Sequence, residues 1–118
     1  PISINALHDR NPLFVQLADG GVRNDYTVRL LSKGSERSFA LDLSGLPGAQ
    51  LSVAGVVRKP DGKLVVEVGQ DTTREVRLSV QVAPAAVPAK TVDVDIIATD
   101  LATGQTASVR DHFVPAGK

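Results

Sequence analysis

An alternation of apolar and polar residues with a period of two returns in nearly every segment of this chain and constrains its fold more than any other feature. Over residues 74–82, Val76, Leu78, Val80 and Val82 alternate with Glu75, Arg77, Ser79 and Gln81. Successive side chains of an extended backbone point to opposite sides, so the pattern specifies a strand with one buried and one wet face. Residues 91–99 repeat it, with Val92, Val94 and Ile96 against Asp93 and Asp95. Residues 38–44 set Phe39, Leu41 and Leu43 against Ala40 and Asp42, and residues 25–31 set Tyr26, Val28 and Leu30 against Thr27 and Arg29. Valine-rich 51–57 and 63–68 alternate less cleanly. Residues 105–114 form a further strand, and 2–7 and 13–17 supply one or two short segments. No window carries the stripe of an amphipathic helix.

Turn signals separate these runs. Asp19-Gly20-Gly21 precedes the Tyr26 strand, Ser44-Gly45-Leu46-Pro47-Gly48 follows the Phe39 strand, and Lys59-Pro60-Asp61-Gly62 follows residues 51–57. Each supplies residues that fix φ or accept a positive one. Seven or eight short strands with no helix between them predict an all-β fold, an antiparallel sandwich of two sheets. The alanine-rich link 83–89, with Pro84 and Pro88, is the predicted crossing from one sheet to the other. Residues 1–118 read as one domain, and the start at Pro1 in a chain without methionine reads as a piece of a longer protein.

One hairpin is legible in detail. Pairing 91–99 with 105–114 around 101–104 sets Ile96 opposite Val109 and Val92 opposite Phe113 on the inner face. On the outer face the same register sets Asp95 opposite Arg110 and Asp93 opposite His112. These opposite-charge pairs favour it over a one-residue slip. Asp111 then points inward beside Val94, which is costly for a lone carboxylate. A bulge near Arg110-Asp111 would turn it out; the preferred reading pairs it with an arginine such as Arg10 or Arg23.

Composition removes several function classes. Thirteen basic and thirteen acidic residues give zero formal net charge, and three Phe and one Tyr leave little to stack bases on, so no nucleic-acid partner is expected. Without cysteine there is no disulfide, thiolate metal site or cysteine nucleophile. No apolar run approaches the roughly 20 residues that cross a bilayer as a helix. No nucleophile elbow, P-loop or dinucleotide fingerprint is present, and Asp19-Gly20-Gly21 reads as a turn. His8 and His112, each beside an aspartate (Asp9 and Asp111), are the candidates for a copper or zinc site. The competing reading is two surface histidines near the ends of the sandwich, and it carries more weight because two unevenly spaced histidines specify little. Asp93, Asp95 and Asp100 offer few convergent oxygens for calcium. Tyr26 is expected to pack in the core with its hydroxyl satisfied at the sandwich edge.

Three stretches carry a family resemblance. His8-Asp9-Arg10-Asn11-Pro12-Leu13-Phe14-Val15 runs into Leu17-Ala18-Asp19-Gly20-Gly21-Val22-Arg23-Asn24-Asp25-Tyr26-Thr27; Gly45-Leu46-Pro47-Gly48-Ala49 follows; and Asp100-Leu101-Ala102-Thr103-Gly104 leads to Arg110-Asp111-His112-Phe113. Together they resemble, in order and over essentially the whole chain, the C-terminal immunoglobulin-like domain of the FixG/CcoG family. Asp25 stands where that family often has glycine. The resemblance implies an immunoglobulin-like sandwich, here without the cysteine pair and core tryptophan of antibody domains. It also implies a parent protein of the bacterial inner membrane that carries two four-iron iron–sulfur clusters on cysteines and acts in cbb3-type cytochrome oxidase assembly by reducing copper. None of those cysteines maps onto this chain, so no cofactor is expected in the domain itself.

The domain is then expected on the periplasmic side, touching the membrane only through the parent's transmembrane part. Its expected role is non-catalytic: docking or scaffolding against an oxidase subunit or a copper-delivery protein. Loops 18–24 and 46–50 are natural contact surfaces, and Arg10, Arg23 and Arg29 would face an acidic partner or serve as ordinary solvated charges. The alternative is a copper-handling domain using His8 and His112. A third reading is a generic surface-protein sandwich.

Overall fold

The computed structural model describes residues 2–115. The described residues form nine strands: β1 (Ile2–His8), β2 (Val15–Gln16), β3 (Val22–Ser32), β4 (Arg37–Ser44), β5 (Gln50–Val53), β6 (Leu64–Val68), β7 (Thr72–Val82), β8 (Val92–Asp100) and β9 (Thr106–Phe113). One sheet has the order β1-β3-β7-β5, with β2 also paired to β3; the other has the order β6-β4-β8-β9. All pairings are antiparallel. The expected all-β, immunoglobulin-like sandwich is therefore present.

The nine strands are one more than the predicted seven or eight, because 2–7 and 13–17 both supply a strand, the latter only the two-residue β2. β1 and β2 pair with successive parts of the same side of β3, and the Pro12-containing loop between them interrupts what would be one edge strand. Residues 51–57 are shorter than the valine pattern implies. Gly55 takes a positive φ of 76°, Val56 folds back to bridge Val53, and Val57 is left exposed. The chain crosses between sheets after β7, as expected, through a single 3-10 turn at Pro84–Ala86.

The core sits between the sheets and is built from the predicted alternation. β3 contributes Val22, Tyr26, Val28 and Leu30, β7 contributes Val76, Leu78, Val80 and Val82, and β5 contributes Leu51 and Val53. Facing them are Phe39 and Leu41, then Leu64, Val66 and Val68, then Val94, Ile96, Ala98 and Phe113. Removing these side chains from water is the main driving force for the fold, at roughly 1.5–3 kcal/mol for each fully buried large aliphatic or aromatic side chain. The outer faces are polar, and their charges neutralise one another. Arg23 bonds Asp25 at 3.1 Å, Arg29 bonds Glu75 at 3.0 Å, and Arg77 bonds Asp9 at 2.7 Å.

The last hairpin adopts the expected register throughout, with Ile96 opposite Val109, Val92 opposite Phe113, Asp95 opposite Arg110 and Asp93 opposite His112. The pairing runs unbroken from Thr99–Thr106 to Val92–Phe113, so no bulge turns Asp111 outward.

Candidate functional site

Two of the sequence candidates, His8 and Asp111, meet where the two sheets end beside each other, at the groove between edge strands β1 and β9. Even-numbered residues of β1 face inward, as Ile4 and Ala6 do, and this parity carries His8 into the sandwich mouth opposite Tyr26 of β3. The side chain of His8 is only 11% exposed, and its ring lies 4.5 Å from that of Tyr26. His8 is thus not the surface histidine of the simpler reading. Its Nε2 lies 3.1 Å from the carbonyl oxygen of Leu13. A carbonyl only accepts, so this nitrogen carries the hydrogen and Nδ1 faces Asp111 Oδ1 at 3.7 Å.

Asp111 is the inward carboxylate of β9, opposite Val94 as predicted. Its partners differ from those expected. His8 and the backbone N–H of His112 (2.7 Å) approach it, whereas Arg10 and Arg23 do not. Parity explains Arg23: it is an odd-numbered residue of β3, on the outer face, where it bonds Asp25. Arg10 lies beyond the end of β1, exposed in the following loop. The position of Asp111 at the mouth keeps its desolvation partial.

The four proposed metal candidates do not share one centre. Asp9 is held by Arg77 on the outer face, and His112 projects to Asp93 at 3.3 Å. Only His8 and Asp111 are neighbours, although His112 also borders the groove. No group of three or more histidine or acidic side chains converges among the described residues. The calcium candidates are likewise apart. Asp95 bonds Arg110 at 3.1 Å, and Arg110 holds its carboxyl below the usual range. Asp100, with inward parity, is almost fully buried and accepts from Arg37 Nη1 at 2.6 Å.

Asn24, which the sequence reading passed over, closes the same end of the sandwich together with Tyr26. Asn24 is fully buried; its Nδ2 donates to Val114 O at 2.9 Å and its Oδ1 accepts from Val114 N at 2.8 Å. A side-chain amide thereby satisfies both main-chain groups of the residue that follows β9. Tyr26 donates to His112 O at 2.6 Å, so its hydroxyl is satisfied at the sandwich edge as expected. Burial, followed by the nearby Asp111 and Asp25 carboxylates, pushes its phenol far above the ordinary range. The signal for Asn24 is its spacing: it occupies the buried parity of Val22, Tyr26 and Val28.

The groove therefore gathers an imidazole, a phenol and a carboxylate, each with one hydrogen bond to the protein's own backbone. Such an arrangement locks two sheet edges together.

A family model described as "IG-like fold at C-terminal of FixG, putative oxidoreductase" matches residues 1–115. The nitrogen fixation protein FixG of Rhizobium meliloti is 38% identical over 80 residues, covering 67% of this chain and 15% of that protein. Protein RdxB of Cereibacter sphaeroides is 34% identical over 106 residues, covering 89% of this chain and 22% of that protein. This chain thus spans less than a quarter of either relative. A crystal structure of a FixG-related protein from Vibrio parahaemolyticus has the same fold, with a TM-score of 0.79 at 22% identity over 98% of this chain and 96% of that one. The immunoglobulin-like sandwich, the shared residues and the family match agree: this chain belongs to the FixG C-terminal immunoglobulin-like family.

Proposed function

We propose that this chain is a non-catalytic docking domain of a FixG-like iron–sulfur membrane protein, held on the periplasmic side of the bacterial inner membrane. In this reading the rest of the parent carries two four-iron clusters and reduces copper for cbb3-type oxidase assembly. The domain positions that parent against an oxidase subunit or a copper-delivery protein. One observation carries the proposal: the polar side chains that converge at the sandwich mouth bond the protein's own backbone. That leaves a rigid body whose outer faces and loops work by contact. His8 and His112 turn to different carboxylates, Asp111 and Asp93, which favours docking over copper handling by that pair.

The test is deletion of this domain from the full-length parent in its own bacterium. Docking predicts that the truncated parent keeps its iron–sulfur content while oxidase assembly falls. Unchanged assembly, or loss of the clusters together with the domain, overturns the proposal.

A further inference from the structure

The outer face of the β6-β4-β8-β9 sheet is uneven. Where β8 meets β9, Arg110 answers Asp95 and His112 answers Asp93. At the opposite corner, inward parity takes Phe39, Leu64, Val66 and Ala98, so Ser38, Ala40, Val65, Glu67 and Thr99 turn outward. The register sets Ala40 beside both Val65 and Thr99, and Ser38 beside Glu67. Ser38, Ala40, Val65 and Thr99 thus make a floor of small, half-buried side chains. Leu101 borders it, 44% exposed, in the turn that follows β8, with its N–H bonded to Ser38 O at 2.9 Å. Two hollows flank Leu101, and both have Ser38, Glu67 and Leu101 in their walls.

Charge singles out the same corner. Of the chain's thirteen acidic side chains, all but Glu36 and Glu67 make a hydrogen bond or an ion pair among the described residues. Both of these exposed carboxylates line the hollow at the start of β4. The guanidinium in that hollow, Arg37, is already taken by buried Asp100. The second hollow has the opposite character: Lys63 lies 3.6 Å from Asp61, and Lys59 has no carboxylate partner among the described residues. The corner therefore carries an apolar centre between a negative end and a positive one.

We infer that this corner is the surface by which the domain docks, and that its occupant is an extended partner segment with a basic residue at one end, an aliphatic residue in the middle and an acidic residue at the other end. The inference rests on the docking role proposed above and gives that role a place on the domain. The basic side chain lays its stem along Leu101 and Ala102 and brings its charge to Glu36 and Glu67. The aliphatic side chain packs on Leu101 and Val65, and the acidic one meets Lys59. Desolvation of the apolar centre supplies affinity. The flanking charges set direction and reject partners of the wrong pattern.

Charge reversal in the full-length parent, in its own bacterium, tests this, with oxidase assembly as the readout and deletion of the domain as the reference. Glu36→Lys combined with Glu67→Lys places like charges against the basic residue and lowers assembly by about tenfold or more. Glu36→Gln with Glu67→Gln removes the attraction without adding repulsion and lowers it less. Leu101→Ser lowers it through the apolar centre. The two glutamate side chains bond nothing else in the domain, so circular dichroism and the thermal midpoint of the 118-residue chain stay unchanged in their variants. Assembly that falls on deletion but is normal in the double lysine variant overturns the inference and spares the docking role; deletion without effect overturns both. A double lysine variant no worse than the double glutamine one also overturns the basic occupant.

Discussion

Replacing Asn24 with leucine should remove a large share of the stability of this domain, because the side chain does the work of a missing strand neighbour. Leucine fills about the same volume but supplies neither a donor nor an acceptor, so the Val114 N–H and C=O both lose their partner. A hydrogen bond contributes about 0.5–1.5 kcal/mol net, and a buried group left unsatisfied costs about 1–3 kcal/mol. Asn24 is fully buried but Val114 only partly, so water relieves some of the deficit and the loss should be about 2–4 kcal/mol. Against a total of about 5–15 kcal/mol this is a large fraction. The chain has no tryptophan, so urea unfolding is best followed by far-ultraviolet circular dichroism. The Val114 amide should also pass from protected to fast hydrogen exchange. Ser108→Ala, on the exposed part of β9, is the control and should change stability by less than about 0.5 kcal/mol. An Asn24→Leu loss no larger than that of the control would refute the reasoning.

Three further outcomes follow from the same geometry. Tyr26→Phe, which leaves His112 O without its donor, should cost about 1–2 kcal/mol; because the phenol is held neutral, its contribution is full below the ordinary tyrosine range and declines as pH rises above it, which alkaline ultraviolet titration of the chain's one tyrosine will show. The Asp100 carboxyl is held below its usual range, first by the Ala102 N–H and then, against the opposing effect of burial, by Arg37; it therefore stabilises above the ordinary carboxylate range, and that stability is lost as pH falls through the lowered value. Asp100→Ala should cost about 3–5 kcal/mol by stranding Arg37, and acid unfolding of the variant should lose that pH-dependent component. Finally, isothermal titration with copper should give no sub-micromolar binding that vanishes in the His8→Ala, His112→Ala double variant; such binding would favour copper handling instead.

How far the sequence spoke depended on whether a residue continued or broke an apolar row. Phe39, Leu41, Val76, Leu78, Val94 and Ile96 all lie where a period of two puts them, because burying one face leaves the chain little choice of register. The final hairpin was legible to the individual pair because charge on one face and hydrophobicity on the other agreed. What escaped were polar residues at buried parity. Asn24 interrupts the row of β3 between Val22 and Tyr26, and Asp100 ends the row of β8, so their polarity makes each row look shorter than it is. Their partners, Val114 and Arg37, lie 90 and 63 positions away in sequence, a tertiary relation that no local pattern encodes. Asp111 shows the same limit: its inward direction followed from parity, but His8 as its neighbour depends on how two sheet edges approach.

Photo-crosslinking from the full-length parent in living cells addresses the docking proposal most directly. A photoreactive amino acid placed in turn at the exposed Leu7, Val57 and Leu101 samples different parts of the surface. A docking domain yields a discrete adduct with an oxidase subunit or copper-delivery protein from at least one of these positions. Full-length, cluster-loaded parent that gives no adduct from any of them, while oxidase assembly proceeds normally, would contradict it.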